Sequence, residues 1–517
     1  MEIKQKRDRY EMHKYWGKKP SSDLNGIIEK YSKQGDTVLD PFSGYGVFCC
    51  EAYILNRNII SNDLNPIANF INSQLLNENI DISKIRKEWS LIKSELSPFI
   101  DKWYGHLYEN KRVQLINILR DKNDTPLMGR FYVDNIGKVV EISFDDDQIR
   151  QYLDFENCEP ISDWYPTIEL IENSRISARN GMTVADLFPK RALACHSRLL
   201  SLIEKHSTNN ELELLKLAFT ANLANCSKLV PPIKSRGEMS QGAWMTGFYV
   251  GETYLENNVL SYFENRLNKA IKGKIDYLEC INKDNLFTSS RKNTFRVLAS
   301  DAKNLDIPNN SIDYVFTDPP YGDAVPYFEQ SIIWNSWLKL EPNYIEEIVV
   351  SDSKKRDKTV AKFEQEIYSA ISEIERVLKP EGYFSLTYHS LSGLEWKSIT
   401  NACIKNNFEM VEFSWLVQKS FTPRQINRSK SIKGDVLVTF KKAELTKDIK
   451  KPIEATTSMF IGYIHEWLLE CTLDTNEIFL RIMNMIFRER ILIGDIDIFD
   501  VLSRNFSFNE NNEWEIK

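Results

Sequence analysis

The strongest constraint in this 517-residue chain is a short apolar run that ends on two prolines. Ser311-Ile312-Asp313-Tyr314-Val315-Phe316-Thr317 leads directly into Asp318-Pro319-Pro320-Tyr321. Tyr314, Val315 and Phe316 have the composition of a buried strand. Neither proline can donate to a sheet ladder, so the strand must stop in a rigid tip. In an α/β sheet such a tip lies at the carboxyl edge, where ligands bind. It offers a carboxylate at Asp318, a carbonyl at Pro319 with no N–H competing behind it, and an aromatic plane at Tyr321.

A planar exocyclic amine suits those three groups. Its lone pair is delocalised into the ring, so the nitrogen attacks a methyl group poorly unless acceptors hold its N–H groups and favour a tetrahedral geometry. Asp318 and the Pro319 carbonyl supply two acceptors, and Tyr321 supplies a face on which a base can stack. A strand followed by a proline turn with a capping Asp is the plainer use of the same tetrapeptide.

A second turn lies near the N-terminus. Thr37-Val38-Leu39-Asp40-Pro41-Phe42-Ser43-Gly44-Tyr45-Gly46 reads as strand, glycine turn, then a helix from Val47 to Leu55. Gly44 and Gly46 allow a sharp bend close to a ligand, and the helix start offers N–H groups. The next strand ends on Asp63, 17 residues past Gly46 and placed to accept two ribose hydroxyls. Asp63 also precedes Asn65-Pro66, a helix start that it can cap. Upstream, a basic and aromatic arm ends in Lys18-Lys19-Pro20, after which Leu24, Ile27, Ile28 and Tyr31 fall at helical spacing.

Together these elements resemble the S-adenosylmethionine-dependent DNA amino-methyltransferases of the adenine-N6 type. The resemblance rests on the Asp-Pro-Pro-Tyr motif (Asp318, Pro319, Pro320, Tyr321), the Phe-x-Gly-x-Gly turn (Phe42, Gly44, Gly46) and the acidic strand end at Asp63. It covers residues 12–65 and 296–440. It implies an α/β fold built on a Rossmann-like class I methyltransferase sheet, with S-adenosylmethionine as cofactor and double-stranded DNA as partner. The implied reaction is site-specific methylation of adenine N6 by base flipping and direct in-line transfer, in a cytoplasmic, restriction-modification setting, with no metal. By the same resemblance Lys18 and Pro20 close over the methionine part of the cofactor. Asp40, Phe42, Gly44, Gly46 and Asp63 hold it, and Asp301 contacts its adenine. Cytosine N4 presents the same amine geometry, although enzymes of that group more often carry Ser in place of Asp318. RNA guanine-N2 enzymes and an inactive DNA-binding relative share parts of the pattern. A restriction endonuclease or defence-system partner is not legible.

The sheet pattern is interrupted after the Asp63 strand. The reading is a discontinuous catalytic domain (1–73 and 295–445), a mainly helical insertion (74–294) concerned with target recognition, and a small helical C-terminal region (446–517). Within the insertion Ile82 to Leu119 reads as helices, Arg130–Val133 and Val139–Phe144 as a hairpin, and the segments ending at Ile203 and Leu223 as helices. The basic, proline-braced loop from Ser227 through Gly237 to Gln241 and Trp244 is the candidate reader of DNA, with Lys228, Lys234 and Arg236 on phosphates. The family usually places such regions after the adenine-contact strand, so this assignment departs from its pattern.

A second basic run, residues 419–434, has five cations and no acid, and Arg424, Arg428 and Lys430 are its candidate phosphate contacts. A formal charge of −7 excludes a chain that is basic all over, so DNA contact must come from local patches. His389 closes the strand Tyr383–His389, where a structural role is its default. The eight cysteines lack zinc-finger spacing and a disulfide pattern, and read as reduced, buried thiols in a cytosolic protein.

Overall fold

Alternation along buried strands sets the architecture. In the computed structural model, described for residues 7–133, 137–283, 293–388, 394–406, 408–416, 435–443 and 450–517, one seven-stranded sheet organises the chain. Its strands are β1 (Thr37–Asp40), β2 (Asn58–Asn62), β3 (Phe295–Leu298), β4 (Ile312–Thr317), β5 (Leu378–Tyr388), β6 (Phe408–Leu416) and β7 (Asp435–Lys442). Their spatial order is 3-2-1-4-5-7-6. The first five run parallel, and β7 is inserted antiparallel between β5 and β6. This is the Rossmann-like class I methyltransferase sheet expected, closed by the antiparallel strands β7 and β6.

Side chains alternate across the sheet, so consecutive residues serve two cores. Val38, Tyr314 and Phe316 enter one core, and Leu39 and Val315 enter the other. The register Val38↔Tyr314 and Leu39↔Val315 keeps the two sets aligned across β1 and β4. Tyr314 and Val315 are fully buried, and burial of this kind contributes about 1.5–3 kcal/mol per large apolar side chain.

The first core continues from the sheet into the insertion without a break. It gathers α1 (Ser21–Tyr31), α2 (Val47–Ile54), α3 (Pro66–Leu76) and insertion helices α4 (Ile82–Tyr104), α5 (Asp146–Cys158), α6 (Lys190–His206), α7 (Asn209–Leu223) and α8 (Val259–Lys283) around it. The boundary read at residue 73 falls inside α3. Buried Lys274 of α8 donates to the carbonyls of Leu75 and Asn77, at 3.2 and 2.9 Å, and so closes the C-terminal end of α3. The reading of helices through Leu119 fails at Gly105. From there Gly105–Tyr108 and Lys111–Asp121 are strands, which join the hairpin strands Pro126–Tyr132 and Val139–Ser143 and the strand Thr253–Asn257 in a second, five-stranded sheet. Ile118 and Leu119 are buried where the strand meets Thr253–Asn257 and Leu115 where it meets Phe131, and periodicity over so short an apolar run does not separate the two states.

Two further helices belong to the main sheet: α9 (Tyr327–Asn335) after β4, and α10 (Val360–Val377) before β5. The C-terminal helices Thr457–Glu470, Thr475–Glu489 and Ile498–Asn505 bury their apolar faces in the second core. Phe487 meets Phe440 of β7 edge-on at 4.9 Å, so this region is packed on the sheet. The cysteines differ from expectation. Cys158 and Cys471 are exposed and Cys280 is half-buried, because each lies on a helix flank or end outside the cores. Among the described residues no helix is long and apolar enough to cross a membrane.

Candidate active site

The carboxyl ends of β1, β2 and β4 open into a single cleft. Its lining includes Lys18, Asp40, Phe42, Gly44, Gly46, Asp63, Asp301, Asp318 and Pro320, so residues separated by most of the chain are brought together. The buried Pro319 and half-buried Tyr321 complete the proline corner beside it. Pro20 is exposed, at the N-cap of α1, and stands outside the lining. Its role as a cofactor contact is corrected to that of a helix start, for which its fixed φ is suited.

The glycine turn is held from within. Gly44 and Gly46 have φ of +50° and +83°, the left-handed region that glycine adopts without steric cost. A Cβ at Gly46 would stand 1.9 Å from Asn72 Oδ1. Asn72 in turn donates to the Gly44 carbonyl at 2.8 Å and accepts from Ser61 at 3.0 Å. The amides of the turn are largely committed: Phe42 N–H donates to Asp40 at 3.1 Å, Gly44 N–H to Asp63 at 2.8 Å, and Gly46 N–H to the Ser43 carbonyl at 2.7 Å. Asp63 also accepts from Asn65 N–H at 2.8 Å, so its capping use is real. A turn so occupied has little left to cradle a phosphate.

The lining is also rich in carboxyls. Asp40, Asp63, Asp301, Asp318, Glu346 and Glu347 line the cleft against only Lys18 and Lys19. Burial pushes the Asp63 carboxyl up to about 6 and raises that of Asp40 well above the usual carboxylate range, and burial together with neighbouring Glu329 pushes Glu347 up to about 8. Burial brings the Lys18 ammonium down to about 7. Lys303 pairs with Asp301 and Glu346 at 3.3 and 3.0 Å and Arg356 with Glu347, and burial favours the neutral form of Asp40, Asp63 and Glu347, so the cleft carries less negative charge than its six carboxyls suggest; an entering cation would favour their ionised form.

The proline corner is held differently. The Asp318 carboxylate faces Lys19 Nζ at 3.1 Å, accepts from Thr387 Oγ1 at 2.7 Å, and accepts from the Tyr321 hydroxyl. Every one of these donors is a side chain. Tyr321 therefore does more than offer a face. Lys19 belonged to the expected arm, but Thr387 was missed. The register Leu386↔Thr317 places it beside Asp318, a signal available once β5 is recognised as the neighbour of β4. Glu346 and Glu347 were also missed, since nothing near them repeats or alternates. Glu347 is tied to Arg356, which also reaches Glu329 at 2.6 Å.

The remaining predicted residues divide. Asp301 accepts from Lys303 N–H at 2.9 Å, a turn cap, while still lining the cleft. Lys18 lines it too, but its ammonium donates to the carbonyls of Tyr10 and His13 at 2.8 and 2.6 Å and shapes the arm. Tyr15, Trp16 and Tyr327 form an aromatic wall, with Tyr15 and Tyr327 stacked at 6.1 Å. Lys228 is half-buried and bonded to Asp124 at 2.8 Å, so it anchors its loop to the insertion instead of waiting for a phosphate. Lys234 and Arg236 are exposed on a short 3-10 turn. Arg424, Arg428, Lys430 and His389 lie outside the described residues.

Two polar atoms on the cleft wall, Ser43 Oγ and Trp16 Nε1, are buried with no hydrogen-bond partner among the described residues. They are what a site built for a polar ligand shows when described without one.

Comparison with known proteins adds a limited amount. Residues 2–71 match a family model, N6_N4_Mtase, described as DNA methylase. No curated protein matches the chain. Among solved structures the chain is similar to a SAM-dependent methyltransferase from Methanosarcina mazei, at 14% identity and a TM-score of 0.17, over 32% of this chain and 77% of that one. It is also similar to the geranyl diphosphate C-methyltransferase of Streptomyces coelicolor A3(2), at 8% identity and a TM-score of 0.18, over 57% and 98%. Scores this low carry no weight for activity. The strand order and the shared cleft are the firmer observations, and the family match spans only the arm, the glycine turn and the Asp63 strand end.

Proposed function

We propose that the chain transfers a methyl group from S-adenosylmethionine to an exocyclic amino group of a DNA base, adenine N6 before cytosine N4. The observation that carries this reading is the meeting of the glycine turn and the Asp318 corner in one acidic cleft. S-adenosylmethionine supplies an electrophilic methyl on a cationic sulfur. A cleft lined by carboxyls favours that charge. Asp63 would accept from the ribose, Asp301 would contact the adenine, and the unpartnered Ser43 Oγ and Trp16 Nε1 of the cleft lining would offer it further hydrogen bonds.

On the substrate side Asp318 and the Pro319 carbonyl receive the two N–H groups of the amine. They hold the nitrogen lone pair toward the methyl, which is catalysis by positioning and electrostatics. The amine replaces the Lys19 or Tyr321 donor on Asp318, an exchange of one hydrogen bond for another. The nitrogen–carbon bond forms as the sulfur–carbon bond breaks, sulfur keeps the electron pair, and the proton leaves nitrogen afterwards. Reaching the amine in duplex DNA requires flipping the base, at a cost of a few kcal/mol.

The test is incubation of the protein with labelled S-adenosylmethionine and duplex DNA, single-stranded DNA or tRNA, then mass spectrometry of the nucleosides. N6-methyl-2′-deoxyadenosine from DNA is the expected product. N4-methylcytosine, label only in tRNA, or no label with intact DNA binding would each replace this reading with one of its rivals.

A further inference from the structure

The arm that borders the cleft also borders a second cavity, of about 260 Å³, on the insertion side. Tyr15 and Trp16 face the cleft, while His13 and Lys14 line the second space with Asn225, Gln241, Trp244 and Arg266. The far end of the proline-braced loop thus arrives here, pinned by Gly242 N–H to the Pro231 carbonyl at 2.8 Å. Lys14 Nζ lies 4.3 Å from the centre of the Trp244 ring. Arg266 reaches only the side-chain carbonyl of Asn225, at 3.3 Å, and its Nε is buried without a partner.

Neither cation meets a carboxylate within salt-bridge distance among the described residues. Glu11, the acid whose charge acts on Arg266, lies 4.0 Å from Lys269. Desolvation by the surrounding protein and repulsion from Arg266 lower the affinity of the surface-exposed Lys14 for its proton, and desolvation does the same for the half-buried Arg266. His13 adds no compensating charge: it is buried and bonded to Thr220 at 3.2 Å. Lys14 is exposed and solvated, whereas the half-buried Arg266 keeps its Nε buried without a partner among the described residues, and that guanidinium is the group an anionic ligand would satisfy. A guanidinium forks onto phosphate oxygens and an ammonium adds a point charge.

We propose that this cavity is a nucleotide site, holding a phosphate between Lys14 and Arg266 with the attached sugar against the Asn225 and Gln241 amides, while Lys14 stays over the buried Trp244 ring. The phosphate belongs either to a nucleic-acid strand or to a free mononucleotide. The inference does not depend on methyl transfer, and a protein inert toward S-adenosylmethionine would still show it.

The test uses the full chain, tryptophan fluorescence and calorimetry, with inorganic phosphate, deoxyadenosine monophosphate and a single-stranded oligonucleotide as probes. Arg266→Gln should weaken binding about tenfold or more, and Lys14→Gln less, with Trp244→Phe removing the fluorescence response. If a strand is the ligand, the slope of log affinity against log salt for the oligonucleotide falls by about one per cation removed. If the mononucleotide binds and that slope is unchanged, the free nucleotide is the ligand. Wild-type protein that binds no probe, or unchanged binding in both charge variants, overturns the proposal. Should Arg266→Gln fail to fold, the exposed Lys14→Gln decides alone.

Discussion

The two corners of the cleft hold their carboxylates in opposite ways. At the glycine turn Asp63 accepts from the backbone N–H groups of Gly44 and Asn65. At the proline corner Asp318 is held by Lys19, Thr387 and Tyr321, all side chains. A backbone amide cannot swing away without unfolding its turn, whereas a side chain can change rotamer. The first carboxylate is therefore a fixed part of the frame. The second can exchange partners, as a group that must receive and release a substrate amine has to.

That contrast can be broken most directly by Asp318→Ala, which should lower methyl transfer by about 10³-fold or more while S-adenosylmethionine binding stays within a few-fold. Single-turnover transfer and calorimetry measure the two separately, and a joint loss would merge the two corners into one. Gly46→Ala should do the converse. Its Cβ has no room beside Asn72 at a φ of +83°, so roughly 1–3 kcal/mol of stability and the cofactor affinity fall together in thermal melts and titrations.

Acidity offers a subtler probe. The Asp63 carboxyl is raised to about 6 by burial, not by a charged partner, so cofactor affinity should fall as pH drops from 7 toward 5, with a midpoint near 6. Asp63→Asn should flatten that dependence. The linkage to stability has the opposite sense. Because the folded pKa exceeds the unfolded one, the contribution from a protonated Asp63 is complete below the ordinary carboxylate range and is lost as pH rises through about 6. The smallest effect expected is from Lys228→Met, which breaks the pair with Asp124 and should cost up to about 1 kcal/mol with no change in DNA affinity. Lys234→Ala should do the reverse. If Lys228→Met alone weakened DNA binding, carboxylate-bound cations could no longer be set aside as structural.

How much could be read in advance differed by element. Tyr314-Val315-Phe316 before two prolines and the glycines at 44 and 46 are local facts, because a missing N–H or a missing Cβ restricts the backbone whatever surrounds it. They located both corners. Residues 105–121 were misread because a short apolar stretch is compatible with a helix or a strand, and pairing with Thr253–Asn257, more than 130 residues away, made the choice. Lys228 was misassigned since a lysine in a basic loop has no local sign of the Asp124 that folding brings to it.

The sequence by itself determined where the chain must turn and which carboxylates stand at the ends of strands, since those follow from covalent geometry and side-chain alternation. Only the tertiary structure decided which donors each carboxylate meets and that Asp40, Asp63, Asp301 and Asp318 share one cleft. The reason is that electrostatic partners are set by distance in space, and parallel strand packing places the carboxyl ends of distant segments side by side.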